Sequence, residues 1–191
     1  MKKFISISVF ILMMLSSLVM YSQKDSISLQ REARKLVREG NKLYNQKKYA
    51  EATISYKKAL EKNSAYTKAT YNLGNSLFQE KNFKEAIPQY KILTENSKDS
   101  FEKAEGYHNI GNAMMEEKNY QGAVDAYKNS LRKNPNDDET RYNLAVAQKL
   151  LEKEKNKDKD KNKDKNKDKN KDKNKDKDKD KDKDKKEGDD K

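Results

Sequence analysis

Apolar positions recur along the middle of the chain at the spacing of paired helices. Between Lys68 and Gln79 the residues Tyr71, Leu73, Leu77 and Phe78 mark one helix, and Phe83, Ala86, Ile87, Tyr90 and Leu93 mark a second after a polar break. The same alternation predicts an all-α chain with three helix pairs, over about 29–62, 65–96 and 101–133. Asn134, Pro135, Asn136, Asp137 and Asp138 then break the chain. A last helix carries Leu144, Val146, Leu150 and Leu151 toward the preceding pair and turns Arg141, Gln148 and Lys149 to water.

The pairs are copies of one another. Gly40, Ala52 and Tyr56 return as Gly74, Ala86 and Tyr90 at an offset of 34, and as Gly111, Ala123 and Tyr127 at a further 37. The small residues are expected where two helix backbones come close, with the tyrosines filling the space around them. Tyr49, Phe83 and Tyr120 open each second helix with an apolar anchor. The three extra residues fall between Asn96 and Ser100, a polar stretch that reads as a longer loop.

A period of 34 with Gly, Ala twelve residues later and an aromatic four further resembles the tetratricopeptide repeat. The resemblance implies a solenoid over 33–154, with repeats at about 33–66, 67–103 and 104–137 and a capping helix over 138–154 that closes the exposed end. There are departures. The chain has no Trp, and of the prolines that close repeats only Pro135 is present, with Ser64 and Lys98 in the equivalent places. Leu93 and Ser130 replace the small Ala59 of the first unit, which predicts uneven packing between units. Pro88 lies early in a second helix, where few intrahelical donors are lost.

Ahead of the array, Met1, Lys2 and Lys3 precede an uncharged stretch from Phe4 to Met20. A positive start followed by an apolar run directs export. Residues 1–22 read as a signal peptide cleaved near Ser22 and Gln23, or as a retained N-terminal anchor, and both readings stand. Residues 23–32 read as a polar lead-in, with Ser26 or Ser28 capping the first helix. With no cysteine in the chain, neither a lipid anchor on a thiol nor a disulfide is available.

Behind the array the composition changes abruptly. Residues 155–191 hold 18 Lys, 13 Asp or Glu, 5 Asn and one Gly, with no apolar residue. Nothing there offsets the entropy of ordering, so a disordered tail is expected. The net charge is +12, of which the tail carries +5. Alternating Lys and Asp largely neutralise one another, and clustered Arg with interleaved aromatics is missing, which argues against nucleic acid as a partner. Asp158, Asp160, Asn162 and Asp164 imitate the start of a calcium loop, but Lys163 stands where the turn needs Gly and Lys169 where a bidentate Glu should close it. A low-complexity spacer is the better reading.

No enzyme is expected. Thiolate chemistry is excluded, and His108 is the only histidine, so a histidine-based metal site would depend on scattered carboxylates. No glycine-rich phosphate loop or nucleophile elbow occurs. No cofactor is implied.

What remains is binding. In tetratricopeptide arrays the first helix of each pair lines a concave groove, which here would carry Asn41, Asn72, Asn75, Asn109, Asn112 and Asn143. Asn72 with Asn75 and Asn109 with Asn112 are three apart, hence on one helical face. An Asn amide both donates and accepts, so it can pair with the backbone of an extended peptide whatever the peptide's side chains are. The pattern resembles the asparagine ladder of the O-linked N-acetylglucosamine transferase repeats. Tyr71, His108 and Tyr142 stand beside it and would supply specificity, while some of the amides could instead join neighbouring helices. Glu105 and Asn109 occupy places where a carboxylate clamp needs basic groups, which argues against an acidic chain terminus as ligand.

The overall layout also resembles the tetratricopeptide proteins encoded with the aerotolerance (Bat) cluster of Bacteroidetes. That resemblance implies partners with von Willebrand A domains anchored in the inner membrane, and a location in the periplasm or at the periplasmic face of that membrane. The expectation is a non-catalytic exported adaptor, with membrane association through the N-terminal segment if it is uncleaved. The alternative is an envelope structural protein whose tail contacts anionic polymers or lipid head groups.

Overall fold

The computed structural model describes residues 2–157. Among them every regular element is a helix: α1 Lys2–Asn45, α2 Tyr49–Lys62, α3 Thr67–Gln79, α4 Phe83–Asn96, α5 Ser100–Glu116, α6 Tyr120–Lys133, and α7 over 138–157. The chain divides into two units, Met1–Leu144 and Ala145–Lys191. The array and the groove described below belong to the first. The expected disordered tail lies outside the described residues from 158 onward, and 155–157 are helical.

The array pairs α1 with α2, α3 with α4 and α5 with α6, and the sequence shows how. Tyr56, Tyr90 and Tyr127 are each 1% exposed, and Ala52, Ala86 and Ala123 are fully buried. Each tyrosine ring lies flat against the glycine of its own repeat. A Cβ on Gly40 would come 2.5 Å from the Tyr56 ring, one on Gly74 2.6 Å from Tyr90, and one on Gly111 would meet Tyr127 in the same way. No side chain fits there, so glycine is retained despite costing about 1 kcal/mol in a helix relative to Ala.

The turn inside each pair is also a copy. Lys47, Lys81 and Lys118 have φ of 62°, 59° and 59°. The next amide then reaches back five residues, Lys48 to Leu43, Asn82 to Leu77 and Asn119 to Met114. This arrangement satisfies the carbonyls at the end of the first helix. Aromatic pairs brace two of the turns, Tyr44 against Tyr49 and Phe78 against Phe83, both with ring centroids 5.2 Å apart.

Three expectations are corrected. Residues 23–32 are not a lead-in but part of α1, and Ser26 and Ser28 are exposed mid-helix residues that cap nothing. The reason is that 2–45 contains no Pro and a single Gly, so nothing in it stops a helix. Despite its length, no helix among the described residues is long and apolar enough to cross a membrane.

Second, Asn96 to Ser100 is not a longer loop. Only 97–99 separate α4 from α5, and the extra residues lengthen α5 to 17 residues against 13 in α3. The polar residues act as helix starters: the Asp99 carboxylate accepts from the Phe101 amide at 2.8 Å, and Ser97 Oγ donates to Glu102 at 2.6 Å.

Third, the packing at Leu93 and Ser130 is compensated rather than uneven. Gly106 stands where the preceding repeat has Ala69, and a Cβ there would come 3.4 Å from Leu93 and 2.7 Å from Thr94. Ser130 is fully buried and donates to the Ala104 carbonyl at 2.8 Å. One buried hydroxyl among the described residues, that of Ser76, has no hydrogen-bond partner.

Candidate protein-binding groove

The asparagines of α1, α3, α5 and α7 form a ladder, but its rungs run between repeats. Asn72 Nδ2 donates to Asn41 Oδ1 at 2.8 Å, Asn109 Nδ2 to Asn75 Oδ1 at 3.4 Å, and Asn143 Nδ2 to Asn112 Oδ1 at 3.4 Å. Each acceptor oxygen is also held from below by the core tyrosine of its own repeat. Tyr56 donates to Asn41 and Tyr90 to Asn75, both at 2.8 Å, and Tyr127 donates to Asn112 at 2.7 Å.

The tyrosines keep their protons. Burial, reinforced by the nearby Tyr44, pushes the Tyr56 phenol up to about 12, and burial raises Tyr90 and Tyr127 as well. A protonated phenol can donate, which fixes the oxygen of each partner amide toward it. Both lone pairs of Asn41, Asn75 and Asn112 Oδ1 are therefore spent inside the protein. Their Nδ2 groups, together with the Oδ1 atoms and the second N–H of Asn72, Asn109 and Asn143, are left for a ligand.

Three adjoining depressions follow this row. The first, of about 280 Å³, is lined by Val37, Asn41, Thr67, Lys68, Tyr71, Asn72, Leu93, Glu102 and Glu105. A second, of about 240 Å³, shares Asn41 and Asn72 and adds Tyr44, Asn45, Tyr56 and Asn75. The third, of about 280 Å³, runs on past Tyr71 and Asn75 to Phe78, Asn109 and Asn112. Of the nine residues expected from the sequence, Asn41, Tyr71, Asn72, Asn75, Asn109 and Asn112 line these depressions, and Asn143 joins them through Asn112.

The remaining two differ. Tyr142 is 70% exposed, whereas Tyr71 packs edge-on against Tyr90. His108 is committed to structure. Thr140 donates its hydroxyl to Asp137 at 2.7 Å, so its oxygen accepts from His108 Nδ1–H at 2.6 Å, while Nε2 lies 3.6 Å from Glu139. The imidazole thereby latches α5 to the first turn of α7. Asp137 caps that turn. Burial works to raise its carboxyl, but hydrogen bonds from the Thr140 amide and hydroxyl, the nearby His108 and the Glu139 amide hold it below the ordinary value.

Sequence reasoning did not single out Val37, Lys68, Leu93 or Glu102 as groove residues. The signal was present in register: Val37 occupies the place that Tyr71, His108 and Tyr142 fill in later repeats.

Comparison with known proteins agrees with this geometry. Sequence models described as tetratricopeptide repeats match residues 37–100 and 104–137, together more than half of the chain. The chain belongs to the tetratricopeptide repeat family. Solved tetratricopeptide domains share the fold. The first domain of human RPAP3 aligns with a TM-score of 0.60 at 24% identity, over 66% of this chain and 98% of its own. The Sgt2 domain from Aspergillus fumigatus aligns at 0.59 and 21%, over 65% and 82%. The first domain of Spaghetti (RPAP3), bound to the HSP90 peptide SRMEEVD, aligns at 0.59 and 24%, over 64% and 94%. A search of curated proteins finds no match in sequence.

Proposed function

We propose that this tetratricopeptide protein is an exported, non-catalytic adaptor that holds an extended segment of a protein partner along its asparagine row. The observation that carries the reading is the division of labour in the amides: one set of atoms is locked by tyrosines and neighbouring repeats, leaving preoriented Nδ2 and Oδ1 atoms along the depressions. Groups fixed in advance lose little entropy on binding. A peptide-bound neighbour with the same fold supports the mode of use. Its acidic peptide does not transfer, because Glu102 and Glu105 line the groove here.

The charge-free stretch from Phe4 to Met20 behind two lysines supports export, and the overall layout supports a place at the periplasmic face of the inner membrane. There the partners would be membrane-anchored von Willebrand A domain proteins of an aerotolerance-type complex.

The test is capture of partners from gently solubilised envelopes by the full chain and by an Asn72→Ala, Asn109→Ala variant. These two asparagines are chosen because Asn75 and Asn112 also anchor core tyrosines. The double variant should keep its helical signal and lose most of the captured von Willebrand A proteins. Undiminished capture would remove the groove from the function, and recovery of no such protein by the native chain would remove the aerotolerance assignment.

A further inference from the structure

The first depression differs in chemistry from the rest of the groove. It exists because Val37 is smaller than the Tyr71 and His108 that follow it in register, leaving about 280 Å³ between α1, α3 and the start of α5. Its floor is apolar, with Val37 6% and Leu93 2% exposed. Its α5 wall is acidic. Glu102 and Glu105 are three residues apart and so share a face, and neither has an ion-pair partner among the described residues. Lys68 lines the cavity from α3 but bridges to neither. Burial first, and then the carboxylates of Glu102 and Asp99, raise the Glu105 carboxyl above its ordinary value, while the nearby His108 works to lower it. Glu102 accepts from Ser97 through one oxygen only, which leaves the other for a ligand.

An apolar floor beneath a carboxylate rim fits a long alkyl stem that ends in a cation. We infer that this cavity is a specificity pocket for a lysine or arginine side chain of the partner's extended segment. The stem lies on Val37 and Leu93, and the head meets Glu102 and Glu105 beside the Tyr71 ring, where a cation over an aromatic face is also favoured. The inference rests on the groove reading above and adds the sign of charge that the groove selects. Elsewhere along the row the amides are neutral and indifferent to side chains, so this pocket sets the register of the bound segment.

The test uses the full isotope-labelled chain, titrated with three capped nonapeptides identical except for Arg, Met or Glu at the centre and followed by amide chemical shifts. The Arg peptide should bind about tenfold tighter than the Met peptide, with the Glu peptide weakest, and the preference should weaken with salt. In a Glu102→Gln, Glu105→Gln variant, Arg and Met peptides should bind within about twofold of each other, as expected once the charge-assisted contacts are gone. Val37→Tyr, which fills the cavity, should remove the preference while leaving the shifts at Asn75 and Asn109.

Equal affinities in the native chain, with shifts along the asparagine row, would overturn the pocket and leave the groove standing. A preference that survives the double Gln variant would overturn it too. No groove shift with any peptide would overturn both readings. Binding of a synthetic peptide of residues 155–170 as tightly as the Arg peptide would overturn the assignment to a partner's side chain.

Discussion

The seam between paired helices and the groove face of the first helices lie on opposite sides of the same residues, yet they obey different rules. In the seam every repeat is alike: Gly40 with Tyr56, Gly74 with Tyr90, Gly111 with Tyr127, each tyrosine ending on the asparagine after its glycine. On the groove face the asparagine row repeats, but the positions beside it differ from repeat to repeat. Val37, Tyr71, His108 and Tyr142 share one place in register, and Arg34, Lys68, Glu105 and Glu139 share another, where the charge changes sign midway along the array. The seam carries stability, which each pair needs equally. Under the proposed function the groove would carry recognition, and identical repeats would recognise only a repetitive ligand.

The largest effect should come from breaking the seam. In Gly74→Ala the new Cβ would come 2.6 Å from the Tyr90 ring, which is 1% exposed and cannot withdraw. Overpacking should cost about 1–3 kcal/mol and outweigh the better helix propensity of Ala. Urea unfolding followed by circular dichroism would show it, and an unchanged or raised midpoint would refute the close contact.

Tyr90→Phe keeps the ring and removes the bond to Asn75, with an expected loss of about 1 kcal/mol at neutral pH. It also sharpens the comparison at high pH. A phenol whose folded value is raised contributes stability that is fully present below its unfolded value of about 10 and is lost as pH rises through the folded value. For Tyr56 that window closes near 12. The native chain should therefore lose stability steadily above about pH 10, and Tyr90→Phe should lose it less steeply. Parallel curves would show that the Tyr90 hydroxyl is not shielded.

The smallest effect has the opposite sign. The Ser76 hydroxyl is buried without a partner, and Ala113 fills the same place one repeat later. Ser76→Ala should raise stability by up to about 1 kcal/mol, and any loss beyond experimental error would mean that a partner for the hydroxyl exists.

Much of this was legible in the residues. The glycine and tyrosine register located the helix pairs, the turns and the buried aromatics, because a repeated packing problem is solved by repeated residues. The asparagine row was legible as a row but not as a network. Asn41 and Tyr56 are 15 residues apart on different helices, and Asn41 and Asn72 are 31 apart, so neither spacing identifies a bond until the helices are stacked. His108 was misleading for the same reason: its register matched Tyr71, while its partners Thr140 and Glu139 come from the first turn of α7. The stretch from Asn96 to Ser100 reads as loop by composition, but Asp, Ser and Glu are also the residues that start helices, and the contacts of Asp99 and Ser97 decided between the two.

The sequence by itself determined which helices form, which of their faces are buried and that they repeat, since these follow from periodicity and side-chain size within one unit. Only the tertiary structure decided which amide atoms remain for a ligand, that Leu93 is accommodated by Gly106, and that Val37 opens a cavity beneath Glu105. Those outcomes depend on residues from different repeats meeting in space, and pairwise distance between repeats is set by packing rather than by position along the chain.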